Sequence, residues 1–163
     1  FYSGQSDLKT LMDASQHETL KPCAYKNHVS MLYCNELLTL LRLEEQVCKE
    51  IFQAYQSTVS QLQEIQSVSL LLRKFEWLLS RNLGYELSLP QETKKTDYIE
   101  FDPNQGLRIN NSSKVCKVYS LERFMLNRTM THDDIKQVNQ LMKPVVNHML
   151  HGKTIKSRSL LLN

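Results

Sequence analysis

Val68-Ser-Leu-Leu-Leu-Arg-Lys-Phe-Glu-Trp-Leu-Leu-Ser-Arg-Asn-Leu83, closed by Gly84, decides the fold. Leu71, Leu72, Phe75, Leu78, Leu79 and Leu83 recur at steps of three and four, which predicts one buried helix face. Gly84 fits the position just past a helix end, where the backbone turns left-handed. The apolar content wraps beyond one stripe, because Trp77 stands off it. Either this helix is buried on several sides, or Trp77 is offered to a partner.

Upstream, Val29, Leu32, Tyr33, Leu37, Leu40 and Leu41 predict a helix over Ala24 to Leu43, widened by Met31, Leu38 and Leu43. Val47, Ile51, Ala54, Tyr55, Thr58, Val59 and Leu62 predict another from Glu45 to Gln63, solvated on its Lys, Glu, Gln and Ser side. Residues 1–23 read as a strand followed by a linker. Downstream of Pro90 the period shortens. Tyr98 to Phe101 and Leu107 to Ile109 flank Asp102-Pro-Asn-Gln-Gly106, as in a β-hairpin. Val115 to Tyr119 either adds to that hairpin or leads into a short helix that starts at Ser120 and ends near Arg128. Thr131-His-Asp-Asp134 then caps a long helix reaching His151, with a buried face of Ile135, Val138, Leu141, Met142, Val145, Val146, Met149 and Leu150. Pro144 predicts a kink or break near Gln140 to Lys143, and Gly152 ends the helix. The basic, then apolar, stretch from Lys153 reads as a loop feeding a last helix. The expected fold class is mainly α, a helical bundle-like domain with a small β-hairpin insertion at about residues 90–119.

The 163 residues suffice for one core and exclude a large multidomain enzyme. With 41% hydrophobic and 23% charged residues and only four Gly and four Pro, the chain is not a low-complexity or disordered one. No apolar run approaches the roughly 20 residues of a membrane span. Cys23, Cys34, Cys48 and Cys116 are too irregular for a disulfide framework, so a reducing, cytoplasmic setting is expected. The opening Phe1-Tyr2-Ser3-Gly4, without Met, suggests a cleaved or truncated product. Charge is uneven. Residues 1–105 hold ten Lys/Arg against fourteen Asp/Glu, a net −4, and residues 106–163 hold ten against three, a net +7. Such a cationic third suits a polyanion, though it can serve solubility alone.

Catalytic chemistry finds little purchase. There is no G-x-S-x-G, no Cys set beside a plausible His, and too few glycines for a phosphate-cradling loop. His132-Asp133-Asp134 invites an acid–base reading, but helix capping explains it more simply. His148 and His151 alone do not make the four-ligand set of structural zinc, and they suit a helix C-terminus. Asn110, Asn111 and Asn127 open N-x-S/T triplets that matter only in a secretory context. What remains is a binding module.

Leu72-Arg-Lys-Phe-Glu-Trp-Leu-Leu-Ser-Arg-Asn-Leu-Gly-Tyr85, followed by Glu-Leu-Ser-Leu89, resembles the L-R-x-F-E to L-G-Y segment of bacterial RecO, a family of DNA repair and recombination mediators. Tyr33-Cys-Asn-Glu-Leu-Leu38 is similar to the family's Y-x-N-E-L-L helix. Lys143-Pro144, Leu150, Gly152-Lys153 and Ile155-Lys-Ser-Arg158 resemble its ending, with two residues more. The three motifs stand in order over about residues 24–160.

The resemblance implies an N-terminal OB-fold, a central helical domain and a small region that in many members holds zinc. Residues 1–23 would then supply only the last strand of an OB-fold plus a linker, and residues 24–163 the helical domain. No Cys lies between Tyr85 and Val115, so the copy resembles the metal-free members, with no cofactor. It further implies a non-enzymatic mediator that binds single-stranded DNA-binding protein, RecR, and single- and double-stranded DNA in the cytoplasm, at the nucleoid, to anneal strands and load recombinase. The alternative is a generic helical DNA-binding or regulatory module using the basic C-terminal third. The family's site for the acidic tail of single-stranded DNA-binding protein falls on the Val68–Leu83 helix. Arg73 and Trp77, four apart, offer a cation and an apolar surface, with Lys74 and Arg81 at the rim. The competing reading pairs Arg73 with Glu76 or Glu45 and makes Trp77 core. Lys153, Lys156 and Arg158 are the candidate DNA contacts, with Arg158 alternatively bridging helices.

Overall fold

The computed structural model describes residues 2–3, 10–11, 21–41, 48–64, 67–85 and 87–161. Its elements are strands β1 (Tyr2–Ser3) and β2 (Thr10–Leu11), helices α1 (Tyr25–Leu41), α2 (Cys48–Leu62) and α3 (Val68–Asn82), strands β3 (Tyr98–Asp102), β4 (Gly106–Ile109) and β5 (Cys116–Lys117), helices α4 (Val118–Met125) and α5 (His132–Met149), and a terminal 3₁₀ helix, Ser157–Leu161. The chain is mainly α with a small antiparallel sheet, as its periodicity predicts. The expected helix ends at Leu43 and Glu45 lie outside the described residues. So does most of the stretch expected to be strand and linker, where β1 and β2 pair antiparallel.

Two apolar cores share α3 and α5. In the first, Tyr33, Cys34 and Leu37 of α1 and Ile51 and Leu62 of α2 meet Leu71, Leu72, Phe75 and Leu79 of α3, with Val146, Met149 and Leu150 at the end of α5. In the second, Ile99, Leu107 and Cys116 of the sheet join Val118, Leu121 and Phe124 of α4 and Val138, Leu141, Met142 and Val145 of α5; Leu70 and Trp77 of α3 pack against it. This two-sided burial accounts for the apolar residues that overflow a single stripe on α3.

Termini follow local chemistry. After α3, Gly84 adopts φ +79, its N–H donating to Arg81 O and that of Tyr85 to Ser80 O, so a left-handed cap satisfies the last carbonyls. Helix α4 is shorter than expected, ending at Met125 rather than near Arg128, because Asn127 turns left-handed at φ 52 and Arg128 N–H returns to Arg123 O. Val115 to Tyr119 does both things the sequence allows: Cys116–Lys117 pairs with β3, and Val118 opens α4.

Helix α5 opens on a capping box. Thr131 Oγ1 accepts from Asp134 N–H at 3.2 Å, and Asp134 Oδ2 accepts from Thr131 N–H at 2.8 Å. Of the kink or break expected near Gln140 to Lys143, the break does not occur, since α5 runs from His132 to Met149 with Pro144 inside. Pro144 and Gln140 both face solvent, where water can reach the carbonyl deprived of its donor, while Val145, Val146 and Met149 stay buried on the other side. Among the described residues no helix is long and apolar enough to cross a membrane.

Candidate functional site

Tyr33 and Glu76 join the two candidate surfaces through the interior. Glu76 is fully buried on α3, where Arg73 Nη2 lies 2.6 Å from its Oε1 and Tyr33 OH donates to the same oxygen at 2.5 Å. Arg158 Nη2 in turn donates to Tyr33 OH at 3.4 Å, its guanidinium sits 5.6 Å from the Tyr33 ring centroid, and Nη1 reaches Asn147 Oδ1 at 3.2 Å. One polar chain therefore runs from α3 through α1 to the terminal 3₁₀ helix. Arg73 Nε and Glu76 Oε2 are buried without a hydrogen-bond partner. Burial pushes the Glu76 carboxyl above the usual carboxylate range, and Arg73 and Tyr33 pull it only part of the way back. Burial, then the neighbouring Glu76, also raises the Tyr33 phenol and pushes the Cys34 thiol up to about 12.

The four α3 positions divide. Arg73 is engaged with Glu76, and Trp77 is half-buried with its ring edge-on to Phe124 at 5.7 Å, so they serve different cores. Lys74 and Arg81 are exposed. Seven residues apart, they share a helix face. Arg81 borders a pocket of about 170 Å³ with Glu50, Leu78 and Asn82.

The basic C-terminal residues lie along α1. Lys153 Nζ donates to Leu40 O at 2.6 Å, serving a carbonyl at the helix end. Backbone N–H groups of Lys156 and Ser157 donate to the two Glu36 oxygens at 2.7 and 2.8 Å, leaving the Lys156 side chain exposed. Although burial alone raises the Glu36 carboxyl, those two donors hold it below its ordinary value. Asn147, Thr154 and Arg158 help line a groove of about 390 Å³. Spacing does not single out Tyr33 or Glu36, yet both belong to the Tyr33–Leu38 motif.

Glu36→Gln is expected to loosen the terminal 3₁₀ helix, seen as faster amide exchange over residues 155–161 with α3 unchanged. Because the folded Glu36 value is depressed, its contribution is present above the unfolded value near 4.3 and fades as pH falls through the folded one.

Elsewhere the candidate chemistry is structural. His148 meets Tyr85 edge-on at 5.3 Å, and His151 Nε2 lies 3.1 Å from Tyr85 OH. Asp134 is bound by Ser120 Oγ at 2.7 Å, by both Thr131 donors and by Arg123, while Asp133 accepts from Gln137 at 2.6 Å. Among the described residues no three His, Cys, Asp or Glu converge as metal ligands.

Residues 24–97 match the family model described as Recombination protein O C terminal. Proteins named DNA repair protein RecO are similar over most of the chain. That of Legionella pneumophila is 27% identical over 140 residues, 80% of this chain and 61% of the relative. That of Cupriavidus metallidurans is 24% identical over 99% of this chain and 58% of the relative. That of Coxiella burnetii is 27% identical over 98% and 73%. The chain thus spans about three fifths of the length of the first two.

Proposed function

We propose that this chain, whose residues 24–97 match the C-terminal model of the RecO family, serves DNA repair as a non-enzymatic recombination mediator. In this role it holds DNA and the acidic tail of single-stranded DNA-binding protein, with RecR as a further partner, and works in the cytoplasm at the nucleoid. The observation that carries the reading is one arrangement of cations. Lys74 and Arg81 stand exposed on one face of α3, Lys153 and Lys156 stand exposed beside α1, and a buried polar chain links the two elements. Cations of this kind suit phosphates and a terminal carboxylate, with the α3 surface taking the peptide and the C-terminal residues taking DNA.

Arg73 and Trp77 act in this proposal from behind the surface, Arg73 by fixing Glu76 and α3, Trp77 by packing on Phe124. Arg158 contributes charge while holding Tyr33 and Asn147. Lys74→Glu with Arg81→Glu is expected to weaken a fluorescent tail peptide by more than tenfold with helicity intact, since charge-assisted contacts are worth about 1.5–3 kcal/mol each. Lys153→Ala with Lys156→Ala is expected to lower affinity for single strands and to reduce the salt slope by roughly 0.7 for each phosphate no longer neutralised. Unchanged peptide binding alongside weakened DNA binding would leave the generic DNA-binding module instead. Unchanged binding of both would remove the proposal.

A further inference from the structure

Two tyrosines on adjoining elements each carry a cation. Lys117 Nζ lies 5.7 Å from the Tyr98 ring centroid, and the Arg123 guanidinium 5.4 Å from that of Tyr119. The sheet and α4 make them neighbours: Tyr98 and Lys117 are opposite residues of β3 and β5, and Val118 N–H donates to Asp97 O. Tyr119 N–H donates to Lys95 O at 3.2 Å, and Arg128 N–H to Arg123 O at 2.8 Å, which brings the backbones of two more exposed cations into the same region. Tyr119 is 44% exposed. Core packing does not explain so large a ring at the surface, and Tyr119 is not a member of either apolar core.

We propose that Tyr98, Lys117, Tyr119, Lys95, Arg123 and Arg128 form a single-stranded nucleic-acid contact, separate from Lys153, Lys156 and Arg158. A single strand offers what this stripe can use at once, unstacked bases for the two rings and phosphates for the cations between them. A duplex keeps its bases stacked and gives the rings nothing. Arg123 is already engaged, its Nη1 with Asp134 at 3.4 Å and its Nη2 donating to Thr129 O, so the phosphates fall mainly to Lys95, Lys117 and Arg128. Nearby carboxylates include Asp97, which accepts from Lys94 N–H at 2.9 Å, half-buried Glu122, and exposed Asp133, linked through Gln137 to Lys117 N–H. The stripe rests on the nucleic-acid part of the proposed function and adds to it a second surface that reads strandedness.

The test is fluorescence anisotropy of the full chain with a 20-nucleotide thymidine strand, the matching duplex and the RNA equivalent, at two salt concentrations. Tyr119→Ala is expected to weaken the single strands by roughly tenfold, with little change in salt slope and little effect on the duplex, because the substitution removes base stacking and no charge. Tyr119→Phe should restore the affinity. Lys117→Ala with Arg128→Ala should lower the salt slope instead. An iododeoxyuridine strand should photo-crosslink to Tyr98 or Tyr119, a readout that needs no variant to fold. Equal loss with DNA and RNA fits the shared chemistry, and a loss with one alone names the source. Single-strand binding that survives Tyr119→Ala, without crosslinks to either ring, overturns the stripe while leaving the proposed function standing. No binding of any nucleic acid by the unmodified chain overturns both.

Discussion

Arg73→Met is expected to cost about 3–5 kcal/mol at pH 7, the range for stranding a buried charge by removing its partner. The loss concentrates on Glu76, whose Oε2 already lacks a donor and whose Oε1 would keep only Tyr33. Burial holds the folded Glu76 value above the unfolded one near 4.3. Its favourable contribution is therefore complete below that unfolded value and lost as pH rises through the folded one. Without Arg73 the folded value climbs further, so urea denaturation should show a small deficit at pH 4 that widens towards pH 7. A deficit independent of pH would place the cost in packing alone. The same contact makes Arg73→Glu unsuitable as a probe of peptide binding, because it would set a second carboxylate against a fully buried one.

Asp134→Ala is expected to cost about 3 kcal/mol, since hydrogen bonds to a charged group are worth about 1.5–3 kcal/mol and Ser120 Oγ would be left buried without its acceptor. The shift of this carboxyl runs opposite to that of Glu76. Burial raises this carboxyl, but Ser120, the two Thr131 donors and Arg123 outweigh it and hold the folded value below the ordinary one near 3.9. Its contribution is present above the unfolded value and fades as pH falls through the folded one. Thermal melts of Asp134→Ala and the unmodified chain should converge in acid, where those of Arg73→Met converge too but for the opposite reason. Failure of the Asp134→Ala gap to narrow below pH 3 would mean that the carboxylate charge is not what the capping box uses.

The helices were legible wherever apolar spacing and a terminator agreed, as at Gly84 and at the Thr131–Asp134 cap. Legibility failed where solvent decided the outcome. Pro144 reads as a breaker in any sequence window, and only its position on the exposed face of α5 lets the helix continue. The site was half legible. A four-residue spacing puts Arg73 and Trp77 on neighbouring turns of α3. It does not reveal which partner each meets, and a buried carboxylate at Glu76 and a ring at Phe124 come from other constraints. Spacing gives Glu36 and Tyr33 no signal for their bonds to the C-terminal segment, because those partners lie 120 to 125 residues away in the chain.

That separation sets a timetable for folding. The terminal 3₁₀ segment is stitched along α1 at Leu40, Glu36 and Tyr33, and Tyr25 OH closes the seam on Leu160 O, 135 residues distant. Contacts so far apart in sequence bear their loop-closure entropy before they return any energy. During synthesis α1 emerges long before Ser157–Leu161, with Tyr33 and Glu36 waiting for donors, and its seam cannot shut until residue 160 has left the ribosome. Hydrogen exchange pulsed during refolding should accordingly protect α3 and α5 before it protects residues 155–160.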